Sequence, residues 1–164
     1  MSSIAQEIIA AIQSRLLDID GTGSYNTTAG DFIALSWQKI DPENVPCIFV
    51  LPGDESATAS SGDGVPSGAT SAMRIAWDIA VEGHVAANQS NTGEQLEMVK
   101  ADIKRAMLRY TEPSLVNTFG KKIGVVGYLG STPAPREEGA ITESVQCRFR
   151  ITYTEKYGDP NAYR

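Results

Sequence analysis

The chain has 164 residues, 14 of them basic and 20 acidic, for a net charge of −6, and 41% are hydrophobic. That length supports one domain with its own core. No apolar run reaches the roughly 20 residues of a membrane span, and no basic stripe marks a nucleic-acid binder. An acidic surface is compatible with DNA that passes without sticking.

Ser3 with Gln6 forms the pattern of a capping box. Ile4, Ile8, Ala11, Ile12, Leu16 and Ile19 then recur at helical spacing, which predicts a helix over 3–19, ended by Gly21 and Gly23. No basic stretch precedes an apolar run here, so this segment reads as part of the fold rather than a secretory leader. Two short strands are expected at 25–28 and 33–40, then a turn at 41–44. The apolar run from Cys47 to Leu51 suits a central strand. Cys47 and Cys147 each lie in an apolar strand pattern and read as buried free thiols of a reducing compartment.

Residues 52–72 are mostly Ser, Gly, Ala, Thr and Asp, with Val65 the one large apolar side chain. They read as a long loop, and 53–72 are expected to be mobile in the free protein and to order against a partner. A strand over 74–86 follows, with Ile75, Trp77, Ile79, Val81 and Val85 inward and Arg74, Asp78, Glu82 and His84 outward. Thr92 and Gln95 suggest a second capping box. Leu96, Val99, Ile103, Ala106, Met107 and Tyr110 mark a helix over 93–110, with Glu97, Lys100, Lys104 and Arg105 on its other face. Pro113 closes it. A strand over 123–129 and a second loop over 130–140 precede the last strand. There Val145, Cys147, Phe149, Ile151 and Tyr153 alternate with Ser144, Gln146, Arg148, Arg150 and Thr152. The pattern predicts one α+β domain over 1–155, a mostly antiparallel sheet with two helices on one face, and a polar tail over 156–164.

Catalytic signals are weak. Asp18-Ile19-Asp20-Gly21-Thr22 resembles the first motif of haloacid-dehalogenase-type phosphatases, in which the first Asp is the nucleophile and the second the acid/base. That chemistry needs the pair at the end of a buried parallel strand, whereas the residues before it have helical spacing. A Mg²⁺-binding acidic pair is also missing: Gly62-Asp63-Gly64 is followed by Ser67 where an acid is required. The segment with Asp18, Asp20, Thr22 and Gly23 also fails as a calcium loop, because Ala29 stands where a bidentate Glu belongs. His84, the lone histidine, reads as a surface residue on the polar side of its strand, and no Gly-x-Ser-x-Gly elbow accompanies it. No catalytic, metal or cofactor site is assigned.

The order of these elements resembles that of the tail terminator, or tail completion, proteins of long-tailed bacteriophages. The phrase from Val45 to Val50, followed by Pro52-Gly53-Asp54-Glu55, resembles their central strand and loop. The run from Ile75 to Gly83 resembles the long strand before their second helix. The resemblance implies a structural virion protein of the tail or neck, assembled in the host cytoplasm. It would form a hexameric ring on the head-proximal end of the tail tube, stop tube growth and offer a docking face to the head or connector. Such a ring needs no cofactor. Its partners would be copies of itself, the tube protein and a neck protein, with DNA passing through and no membrane. Asp54, Glu55, Asp63, Arg136, Glu137 and Glu138, charged residues of the two long loops, are the expected subunit or partner contacts. Another neck or head-tail joining protein, a monomeric binding module, and the phosphatase using Asp18 and Asp20 are the alternatives.

Overall fold

A computed structural model describes residues 2–58, 72–87, 90–109, 112–134, 139–156 and 158–161. Helix α1 spans Ile4–Leu16. Its capping box forms: the Ser3 hydroxyl accepts from the Gln6 N–H at 3.2 Å, and the Gln6 side chain accepts from the Ser3 N–H at 2.9 Å. Ile4, Ile8, Ile12 and Leu16 make a continuous buried stripe. The helix stops three residues short of the expected end. Its last turn tightens, with the Ile19 N–H bonded to the Leu16 carbonyl at 3.1 Å. Ile19 is buried, but from the turn, so periodicity alone overran the boundary.

The sheet has six strands in the order β1-β2-β3-β6-β5-β4. These are β1 Ile33–Ala34, β2 Cys47–Thr58, β3 Ala72–Ala86, β4 Ser114–Val116, β5 Lys122–Pro133 and β6 Thr142–Lys156. The β1–β2 pair is parallel and every other pair is antiparallel. Helix α2, Thr92–Leu108, packs beside α1 on one face. The register delivers the alternation read from the sequence: Val81 sits between Val50 and Cys147, Ile79 opposite Phe149, and Trp77 opposite Ile151. These side chains join the helix stripes in one core. Gly83 is where α2 comes closest to β3. A Cβ there would lie 2.2 Å from the Val99 Cγ1.

Two buried polar groups tie the helices to the rest. Arg15 donates to the carbonyls of Met107 at 2.7 Å, Glu112 at 2.7 Å and Ser114 at 2.6 Å, capping the end of α2 and holding the approach to β4. Asp102, fully buried on α2, accepts from the backbone N–H groups of Asn26 and Thr27 and from both their side chains at 2.8–3.1 Å. Those N–H groups are thereby taken, and no strand forms over 25–28; the expected strand at 33–40 shrinks to Ile33–Ala34.

Other boundaries also move. β2 continues through Pro52, Gly53 and Asp54 to Thr58, and β5 continues to Pro133, so the loops expected from residues 52 and 130 start later. Both extensions rest on bulges, between Pro52 and Glu55 and between Tyr128 and Gly130. In the first, the Trp77 indole N–H donates to the Gly53 carbonyl at 3.1 Å. In the second, Gly130 takes φ +128°. Residues 59–71 and 135–138 lie outside the described residues. The second capping box does not form: Asn91 is the N-cap, and the Thr92 hydroxyl donates to the Ala86 carbonyl at 3.2 Å. Near the C-terminus, β6 runs to Lys156 and the Pro160 carbonyl accepts from the Ile4 N–H at 3.1 Å, so this part of the tail docks on the start of α1.

Candidate functional site

The helices leave the opposite face of the sheet open, and it divides into three zones. At its centre Arg150 grips Asp78 with two hydrogen bonds of 2.7 and 2.9 Å. That pairing, with Arg148 nearby, holds the Asp78 carboxyl below the usual carboxylate range. Arg74 and Arg148 are exposed on the same face, so three arginines from two strands converge there in an acidic protein. Reading the two strands separately missed this grouping; a period-2 comparison of residues 74–78 with 148–152 could have found it.

At the β1–β2 margin, Trp37 arches over the face. Its ring meets Phe49 edge-on at 5.7 Å and His84 at 6.3 Å. His84, Glu82 and Ser144 are buried beneath. The reading of His84 as a surface residue is therefore corrected: the segment after β1 covers this end of the polar face, and His84 is 5% exposed. The Ser144 hydroxyl donates to Glu82 at 2.6 Å. His84 Nε2 lies 3.4 Å from the same carboxylate oxygen but outside hydrogen-bond geometry, and neither ring nitrogen has a hydrogen-bond partner. Burial pushes the imidazole down to about 4.

At the β5 margin, Val125, Gly127 and Leu129 line the same face. With Arg74, Val126, Arg150 and Thr152 they line an open groove of about 310 Å³, which lacks a side chain at Gly127. A larger cleft, about 860 Å³, lies on the helix side between α2 and the 26–28 and 42–46 segments. Phe119 stands 90% exposed on the β4–β5 turn, which the Asn117 side chain secures by accepting from the Phe119 and Lys121 N–H groups at 3.0 Å.

The residues singled out from the sequence are dispersed. Asp54 lies exposed in the β2 bulge, and Glu55 just beyond it accepts from the buried Tyr153 hydroxyl, pushing that phenol up through burial first and the carboxylate second. Asp63, Arg136, Glu137 and Glu138 lie outside the described residues. Asp18 and Asp20 occupy the turn after α1, not the end of a parallel strand. Asp18 pairs with Arg109, and Asp20 accepts from the Thr22 N–H and hydroxyl at 2.9 and 2.7 Å. The phosphatase alternative therefore lacks the geometry its nucleophile requires. Cys47 and Cys147 are free buried thiols on non-adjacent strands, each pushed up to about 11 by burial. Among the described residues no cluster of His, Cys, Asp and Glu could hold a metal ion, and no helix is long and apolar enough to cross a membrane.

The class defined by this geometry is an α+β domain with two helices on one face of a mostly antiparallel sheet and an open, patterned surface on the other. Its fold is similar to that of a chain in the virion of a native gene transfer agent particle, with a TM-score of 0.55 at 15% identity, covering 94% of this chain and 99% of that one. No protein-family model matches the chain, and no curated protein matches its sequence.

Proposed function

We propose that this protein is a structural virion component that forms a ring on the head-proximal end of a phage tail tube, ending tube growth and presenting a docking face to the head. One observation carries the virion reading: the fold likeness to a gene transfer agent virion chain runs over nearly the whole of both chains, not over a shared fragment. The tail-capping role comes from the sequence resemblance to tail terminators. A ring requires a heterologous, closing interface, and the open sheet face has distinct patches at its two margins to supply one. Six subunits, partners in the tube and neck, and a location in the virion tail follow from the same resemblance. Asp54 and Glu55 are proposed as contacts to another subunit or a neck protein. Asp63, Arg136, Glu137 and Glu138 join them on the strength of the sequence alone.

The test is genetic. The gene is deleted from its parent particle and the products are imaged by electron microscopy. Overlong tails, or finished tails that fail to join heads, are expected. Normal infectious particles refute the proposal.

A further inference from the structure

We infer that Trp37 of one copy docks into the Val125–Gly127–Leu129 slot of a second copy, and that this head-to-tail contact closes the assembly. The inference deepens the ring reading and rests on its self-association.

Trp37 is 63% exposed despite its edge contacts with Phe49 and His84, and its neighbour Leu35 is 43% exposed. A large aromatic left open beside another apolar side chain is the kind of residue that anchors interfaces. The slot suits an indole in size and chemistry. Val125 and Leu129 form two exposed apolar walls, and Gly127 leaves the floor open. The groove, about 310 Å³, has room for one large aromatic ring. Arg150 forms another wall, and its guanidinium is fixed by the two bonds to Asp78. A guanidinium held in place in this way presents a flat cationic surface, and indole is the ring such a cation attracts best.

Position decides which copy supplies the ring. Trp37 covers the margin of β2, and the slot lies on β5, with β3 and β6 between them on the same face. Anchor and slot are thus at opposite edges of one surface. A two-fold face-to-face pair would satisfy both contacts and stop at a dimer, whereas the ring reading takes the heterologous arrangement, which leaves each copy one free anchor and one free slot until a ring closes. A wild type that stops at the dimer therefore refutes it. β2 and β5 also run in opposite directions, since three antiparallel pairings separate them.

The experiment uses two full-length variants that each remove one half of the contact. Trp37→Ala deletes the anchor. Gly127→Val fills the slot, and its Cβ meets only the Arg150 carbonyl at 3.6 Å, an ordinary contact, with the melting control reading whether the fold is kept. Sedimentation velocity is run over a concentration series, with thermal melting as the fold control. The wild type is expected to self-associate beyond the dimer. Each variant alone is expected to associate at least about tenfold more weakly, the loss typical of a central anchor. An equimolar mixture is expected to form a dimer and nothing larger, because it retains one intact anchor and one intact slot. A wild type that stays monomeric at every concentration, a Gly127→Val protein that assembles like wild type, or a mixture that fails to pair overturns the inference. Rings unaffected by both variants leave the tail-capping role standing and sink this contact. Anchor-dependent assembly combined with normal tails in the deletion particle does the reverse.

Discussion

Gly83→Ala adds one methyl group at the closest approach of α2 to the sheet. The new Cβ would fall 2.2 Å from the Val99 Cγ1 and 3.0 Å from the Ile103 Cδ1. Carbon atoms pack at about 3.5–4.0 Å, so Val99 must retreat by roughly 1.5 Å. Val99 and Ile103 are fully buried, and neither has solvent to move into. Overpacking of this kind costs about 1–3 kcal/mol. The alanine returns roughly 0.4–1 kcal/mol by restricting the unfolded chain. The net expectation is a loss of about 1–2 kcal/mol, a fall in Tm of roughly 2–8 °C for a domain of this size. Urea unfolding reads this as a lower midpoint at unchanged slope. Val99→Ala removes the offending methyls, so the double variant should be more stable than the two single losses predict, by about 1 kcal/mol. A Gly83→Ala protein as stable as wild type, or strict additivity in the cycle, refutes the helix–sheet packing described above.

Phe149→Ala should cost about 3–5 kcal/mol in the same assay, since the ring is fully buried between Ile79 and Tyr128; a loss under about 1 kcal/mol would mean that the inward face is assigned wrongly. Stability should fall as pH drops from about 6.5 to about 4, because the unfolded chain protonates His84 near its ordinary value while the folded chain resists until about 4. The loss attributable to this group between pH 7 and 5 is about 2 kcal/mol, less whatever the Glu82 carboxylate at 3.4 Å returns, and His84→Gln should remove it; parallel pH slopes for both proteins would count against the burial of His84. Purified protein should release no phosphate from small esters with Mg²⁺, and Mg²⁺-dependent turnover abolished by Asp18→Ala would restore the phosphatase reading.

The long strands and the two helices were legible because their periods are clean: Ile75 to Val85 and Val145 to Tyr153 alternate, and Ile4 to Leu16 repeats at helical spacing. What escaped were places where a local signal was overruled by a distant partner. Pro52-Gly53-Asp54 has the composition of a turn, yet β3 pairs on either side of it and the Trp77 indole holds Gly53. Asn26 and Thr27 look strand-like until the Asp102 carboxylate claims their N–H groups. His84 follows the polar alternation faithfully; it is buried because Trp37, 47 positions earlier, folds across it. The grouping on the open face was invisible for the same reason. Arg74, Asp78, Arg150 and Gly127 acquire meaning only once β3, β6 and β5 lie side by side.

The two bulges have a consequence for the isolated chain. β1 covers β2 only at Ile48 and Phe49, and β4 covers β5 only near Lys122 to Val125, which leaves stretches of bare strand at both flanks of the sheet. Bare flanks invite cross-β stacking. Here neither flank offers an unbroken ladder: Pro52 and Pro133 lack a donor, and the extra residues at Gly53–Asp54 and Leu129–Gly130 throw the backbone out of line. Backbone shape alone thus works against edge-to-edge stacking of free chains, and straightening a flank, as in Pro52→Val with Gly53 deleted, should convert a storable protein into one that gels.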